Sequence, residues 1–152
     1  MKKLAFLIAI LVAAAAAVPA SGAVLMAASC GTSCSSLHAT GNGWLSVVGS
    51  GAEYGTISSG TLWVRDRSDN GHKDFSVTGF QTRVSIGDDG WKFTSKHAMS
   101  FCANSKFWVK LQGPGIAVNG VFDGTGEIAG TGSYTLDNAR HTWPTHATDL
   151  HF

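Results

Sequence analysis

The chain has 152 residues, enough for one domain with a core of its own. Charged residues make up 14% and the formal net charge is +1, so composition offers no basic face for nucleic-acid binding. Its 19 glycines exceed ordinary usage without a Gly-X-Y period, which excludes a collagen-like chain and leaves turns, bulges and close backbone approaches as their uses.

Residues 1–23 begin with Lys2 and Lys3, run through LAFLIAILVAAAAAV, and end on Pro19 and small residues. A basic start, an apolar middle and a small-residue exit predict a secretory signal peptide, with a helical core and cleavage after Ala20 or Ala23. Pro19 interrupts the apolar run before it reaches the length of a membrane span, which favours cleavage over a permanent anchor. Met26-Ala27-Ala28-Ser29-Cys30 forms a loose lipobox, in which Cys30 would be acylated and become the mature N-terminus. Either route places the protein in the secreted fraction or on the cell surface. The signal, or a lipid on Cys30, would be its only tie to a membrane.

Residues 24–40 are small and polar and predict a tether. From Gly41 onward, short apolar runs alternate with glycine-bearing breaks. Strands are expected near 44–48, 54–57, 61–65, 73–78, 81–86, 91–95 and 99–102, and in several pieces over 107–136. In TLWVR, Leu62 and Val64 share one face. Gly113-Pro114-Gly115 and Gly124-Thr125-Gly126 read as breaks between strands. Asn119-Gly120 is the strongest hairpin signal and Asp89-Gly90 the second, because a type I′ turn needs positive φ at both central residues. No amphipathic helical pattern occurs outside the leader.

These signals predict an all-β domain over 41–136, an antiparallel sandwich or barrel-like fold of about ten short strands. A tail over 137–152 follows it. A parallel β-helix is the alternative, since glycine-punctuated repeats also mark solenoid corners. An outer-membrane barrel is excluded, because the apolar runs are about half the 9–11 residues a spanning strand needs.

The patterns TLWVRD, FSVTGF, WVKLQGPGIAVNG and GTGEIAGTGSY, spread over residues 41–136, resemble a group of small secreted, glycine-rich, all-β proteins of high-GC Gram-positive bacteria. The resemblance implies a secreted β-domain. It brings no assigned activity and no site residues. The three cysteines and the histidine-bearing tail depart from it.

Asp66, Ser68 and Asn70 put oxygen side chains at alternate positions before Gly71, as a calcium loop begins. An ordinary Asx-rich turn has the same composition, and Val77 stands where an EF-hand would place its bidentate glutamate. His141, His146 and His151 suit zinc or copper by type, but a spacing of five fits neither a helix face nor a strand face. No metal or other cofactor is expected. Serines lack the Gly-x-Ser-x-Gly elbow, and the carboxylates Asp88, Asp89, Asp123 and Glu127 read as turn residues rather than a glycosidase pair.

Export puts thiols in an oxidising compartment. Acylation of Cys30 would leave Cys34 and Cys102 as a pair, and chain entropy favours that long closure by about 4 kcal/mol against about 2 for a short one. Cys34–Cys102 is the expected disulfide. Pairing of Cys30 with Cys34, leaving Cys102 as a small buried hydrophobe, and pairing of Cys30 with Cys102 remain open.

The function class expected is a secreted or surface-attached, non-catalytic β-domain with a structural or binding role. A carbohydrate-binding module or small glycan-active enzyme is the alternative. Its partner would be a cell-envelope component or a glycan, not nucleic acid. Trp63 and Trp108 are the candidates for exposed rings, each lying beside the apolar parity of its strand, but packing in a second layer of a two-sided core is the expectation for them.

Overall fold

The computed structural model describes residues 33–152. The expected signal peptide and Cys30 lie outside them. The described residues form eight strands: β1 (Ser35–Ile57), β2 (Gly60–Asp66), β3 (Phe75–Thr78), β4 (Thr82–Gly87), β5 (Gly90–Ser95), β6 (Met99–Leu136), β7 (Ala139–Thr142) and β8 (Thr148–His151). All belong to one antiparallel sheet with the path β1-β6-β2-β5-β4, and β3, β7 and β8 each pair with β6. The sheet does not close, and no pairing in it is parallel. The β-helix alternative is thereby overturned.

Two strands are far longer than expected, β1 at 23 residues and β6 at 38. Along most of its length β1 is paired on both edges, and both partners are β6. Leu45 faces Leu111 on one side and Ile128 on the other. In turn Val118 of β6 lies between Ala39 and Gly55, so β1 coils back toward its own beginning.

Such curvature needs glycine. Gly43 faces Gly130, Gly41 faces Gly132, and Gly49 faces Gly124. A Cβ on Gly130 would fall onto the carbonyl oxygen of Asn42, and one on Gly43 onto that of Ala129. Gly43 (φ 138°) and Gly130 (φ 142°) also adopt a backbone conformation that L side chains avoid. Facing glycines thus bend both strands without breaking the ladder, where the sequence pattern predicted breaks.

Gly113-Pro114-Gly115 is a bulge inside β6 rather than an end. The register slips there between Gly43↔Gly113 and Gly41↔Ile116. Bulges are where a strand tolerates proline. Asn42 Oδ1 accepts from Gly115 N at 2.9 Å, and Pro114 O from Ser58 N at 3.1 Å. Asn119-Gly120 makes no hairpin either: Asn119 pairs with His38 and Tyr54, Gly120 with Leu37 and Glu53. Two ladders offer that segment more hydrogen bonds than an isolated turn would. The turns that do form are Asp88-Asp89 (φ 44° and 53°), joining β4 to β5, and Asp137-Asn138 (φ 47° and 70°), joining β6 to β7.

The core lies on one face of the coiled sheet. Leu45, Val47, Leu62, Val64, Phe107, Val109, Leu111, Val118, Phe122 and Ile128 are all buried there. Residues expected in the tether join it through Leu37 and Ala39 of β1. So do residues expected in the tail. Trp143 is buried against Gly41 and donates Nε1–H to Ser133 O at 3.1 Å; Leu150 is buried, and Phe152 meets Phe122 edge-on at 4.6 Å.

Gly130→Ala should therefore lower unfolding free energy by several kcal/mol, combining backbone strain with a clash. At Gly71, where a Cβ would meet only open space, alanine adds strain alone and should cost about 1 kcal/mol. Urea denaturation of both variants checks this; equal losses would contradict the role given to the facing glycines.

Candidate functional site

Across β1, β6, β2 and β5 the residues of opposite parity to the core form an outer face. One row of mutually facing residues runs Ser46, Lys110, Trp63, Lys92 and Val84. The next runs Val48, Trp108 and Arg65. Lys110 Nζ lies 4.9 Å from the ring centre of Trp44 and 5.7 Å from that of Trp63, and Lys92 Nζ lies 5.6 Å from Trp63. The Arg65 guanidinium carbon lies 5.9 Å from Trp108, whose Nε1–H donates to Ser46 Oγ at 3.1 Å. Each cation–ring contact contributes on the order of 0.5–1 kcal/mol at such a site.

Trp63 and Trp108 do point away from the core, as alternation predicts. They are half-buried rather than open, because cations occupy the space beside the rings. Net charge concealed this. Arg65, Arg67, Lys92, Lys106 and Lys110 gather on or beside one face although the whole chain carries only +1.

The remaining sequence candidates do not assemble a site. Asp66 Oδ1 accepts from Ser68 N and Oδ2 from Asp74 N, both at 2.8 Å. Ser68 Oγ bonds Asp74 Oδ2 at 2.9 Å, Asn70 Nδ2 donates to the same oxygen at 2.8 Å, and Asn70 Oδ1 accepts from His72 N at 2.9 Å. The oxygens of the calcium-loop candidates Asp66, Ser68 and Asn70 are thus engaged within an Asx-rich loop. Partial burial pushes the Asp66 carboxyl up, but the Ser68 hydroxyl and the backbone N–H groups of Asp74 and Ser68 outweigh it and hold the group below its ordinary value. His141 stacks on Tyr134 at 4.8 Å, His151 pairs with Thr125, and His146 lies in the loop between β7 and β8. No cluster of three metal-ligating side chains occurs among the described residues.

The Cys34–Cys102 bridge is not formed. Cys102 carries a free, half-buried thiol, whereas Cys34 is not a free cysteine. Topology explains the correction. Cys102 faces Tyr54, Tyr54 faces Asn119, and Asn119 faces His38, so three inter-strand steps separate Cys102 from His38. Cys34 lies four residues further along. That geometry implies a separation on the order of 15–20 Å, against the roughly 7 Å beyond which a disulfide cannot close. Peptide mapping without reduction should find Cys34 linked to Cys30 and Cys102 open to alkylation. Bridging and acylation both consume the Cys30 thiol, so a lipid on Cys30 would contradict this expectation.

Sequence reasoning passed over Glu53. It is fully buried on the core parity of β1, between Ala103 and Gly120 on the flanking strands. Gly51 and Gly55 precede and follow it on the same face. Its side chain occupies space that these small residues leave, and neither carboxylate oxygen has a hydrogen-bond partner. Burial pushes its pKa up to about 8. The folded state therefore keeps a proton that the unfolded chain releases near 4.5. The stabilisation is complete below that pH and is lost as pH rises through about 8. Unfolding free energy should fall by up to about 1.4 kcal/mol per pH unit across this window. Glu53→Gln should flatten that slope in urea melts taken at pH 5, 6, 7 and 8; an unchanged slope would assign it to other groups.

Comparison with protein families, with characterised proteins and with solved structures finds no match to this chain.

Proposed function

We propose that this protein is a secreted or surface-attached, non-catalytic β-domain that binds a cell-envelope glycan through the outer face of β1, β2, β5 and β6. The observation that carries the reading is the cluster in which Lys110 and Lys92 lie against the rings of Trp44 and Trp63 on the solvent side of a sheet whose other side is the core. Core packing does not require aromatic rings and cations there. A half-buried face of this composition suits a polymer lying across several strands.

Two further features support a binding role over catalysis. The carboxyl whose acidity burial changes most, that of Glu53, is sealed in the core, out of a substrate's reach. Of the three carboxylates that line the cleft of about 360 Å³ beside Trp91, those of Asp66, Asp69 and Asp89, Asp66 already has both oxygens hydrogen-bonded. Secretion follows from the leader-like residues 1–23, and the resemblance to glycine-rich secreted β-proteins agrees with it.

Co-sedimentation with insoluble cell-wall polysaccharide tests the reading. The wild-type domain should pellet, and Trp63→Ala and Lys110→Ala should each reduce the bound fraction severalfold while leaving the far-UV circular dichroism all-β. Pelleting unaffected by both substitutions would refute the assigned face.

A further inference from the structure

The outer face ends in a groove whose composition narrows the ligand class. One cavity of about 340 Å³ is lined by Val48, Arg65, Arg67 and Trp108. A second, of about 470 Å³, shares Val48 and Arg67 and adds Lys106 and Asp123 to its walls. Arg65 near the end of β2 and Arg67 just beyond it line the same cavity. The Arg67 N–H donates to Lys106 O at 2.9 Å, fixing the end of β2 beside β6. Arg65 and Arg67 thus stand over an apolar floor of Val48 and Trp108, with Lys106 and the Asp123 carboxylate on the walls of the adjoining cavity.

Among the described residues none of the three cations is ion-paired. Arg65 Nε is buried over Gly90 and is not itself a donor to the groove. A guanidinium presents its N–H groups as a planar fork that matches carboxylate, sulfate or phosphate oxygens. From this groove the row of Lys110 and Lys92 continues the positive charge, those two residues standing two strands, about 9.5 Å, apart.

We infer that the groove formed by Arg65, Arg67, Lys106 and Trp108 is an anion subsite, and that the ligand of the face is an acidic polysaccharide. The inference rests on the binding reading above and specifies its ligand. Neutral glycans and single-stranded nucleic acids both rely on open aromatic rings for stacking, the latter with base–ring contacts. Here cations lie against Trp44, Trp63 and Trp108. Beside the lysine row, on the side away from the arginines, the face carries Thr61, Gln112 and Thr94, whose hydroxyl and amide groups match sugar hydroxyls. Repeated anions on a hydroxyl-rich chain satisfy both features.

Titration calorimetry with four probes tests this: polygalacturonate, dextran sulfate, uncharged dextran and a single-stranded oligonucleotide. The full-length mature protein should bind one or both acidic polysaccharides and should bind dextran and the oligonucleotide at least tenfold more weakly. The two acidic probes separate a carboxylate from a sulfate preference. Arg65→Gln with Arg67→Gln should weaken binding tenfold or more and reduce its salt dependence. A charge-matched control, Lys96→Gln with Arg140→Gln, changes cations that line neither cavity and should bind like wild type. Arg67→Gln alone, at an exposed position, serves if the double variant melts early, and should weaken binding severalfold. Equal loss in the control would mean diffuse charge and would overturn the subsite. Tighter binding of the oligonucleotide would overturn the ligand class. Dextran binding abolished by Trp63→Ala but untouched by the arginine variants would keep the face and reject the groove. No binding to any probe, together with no pelleting on cell-wall polysaccharide, would reject both.

Discussion

Everything in this fold depends on how closely two backbones approach where β1 crosses the later half of β6. At Gly43 and Gly130 a single added carbon on either strand would overlap the other's carbonyl oxygen. Glycine is used for what it lacks as much as for its conformational range. Because both strands bend at the same levels, the ladder runs on through the bend and β1 stays hydrogen-bonded on both edges. The core residues of β1 then face inward from a curved surface rather than from a flat, one-sided sheet.

The same shortage of side chains explains the strangest feature of the core. Curvature that brings Gly51, Gly55, Gly120 and Ala103 around one point leaves room there, and Glu53 fills it with a carboxyl that has no partner. A hydrocarbon of similar volume would fill that space without the desolvation cost. The polar choice makes the domain's stability respond to proton concentration between about pH 4.5 and about 8. Asp66 and Asp137 behave in the opposite sense. Both are held below their ordinary values, Asp137 chiefly by the Ser36 backbone N–H that donates to it at 2.7 Å.

Much of the architecture was legible in the chain, and the misses have one physical origin. Strands β2, β4 and β5 follow from local alternation, and the β4–β5 turn was found within one residue, at Asp88-Asp89. A glycine between apolar runs, by contrast, reads the same whether it ends a strand or bends it. The deciding quantity is whether partners wait on both edges, and for Asn119-Gly120 those partners lie about 65 and 80 residues away in sequence. The outer face was half legible. Trp63 and Arg65 share a parity, as do Trp108 and Lys110, but only the register sets Trp63 against Lys110 and Arg65 against Trp108. The disulfide failed because loop entropy ranks closures without regard to whether the sheet permits them. Glu53 was missed because a carboxylate is not expected in a core, although it shares its parity with the buried Ile57.

The enclosure of β1 by β6 also dictates an order of events. The nearest ladder partner of β1 is Met99, opposite Ile57, and the farthest is Leu136, opposite Leu37. When the first strand emerges from a ribosome or a translocation pore, none of its hydrogen-bonding partners has been delivered. Contacts this distant make for slow folding, since loop-closure entropy is spent before any ladder forms. A chain of this topology therefore travels as an unfolded polymer for most of its length and condenses only when its last third arrives. Were the chain exported, as proposed above, that delay would keep it threadable during passage.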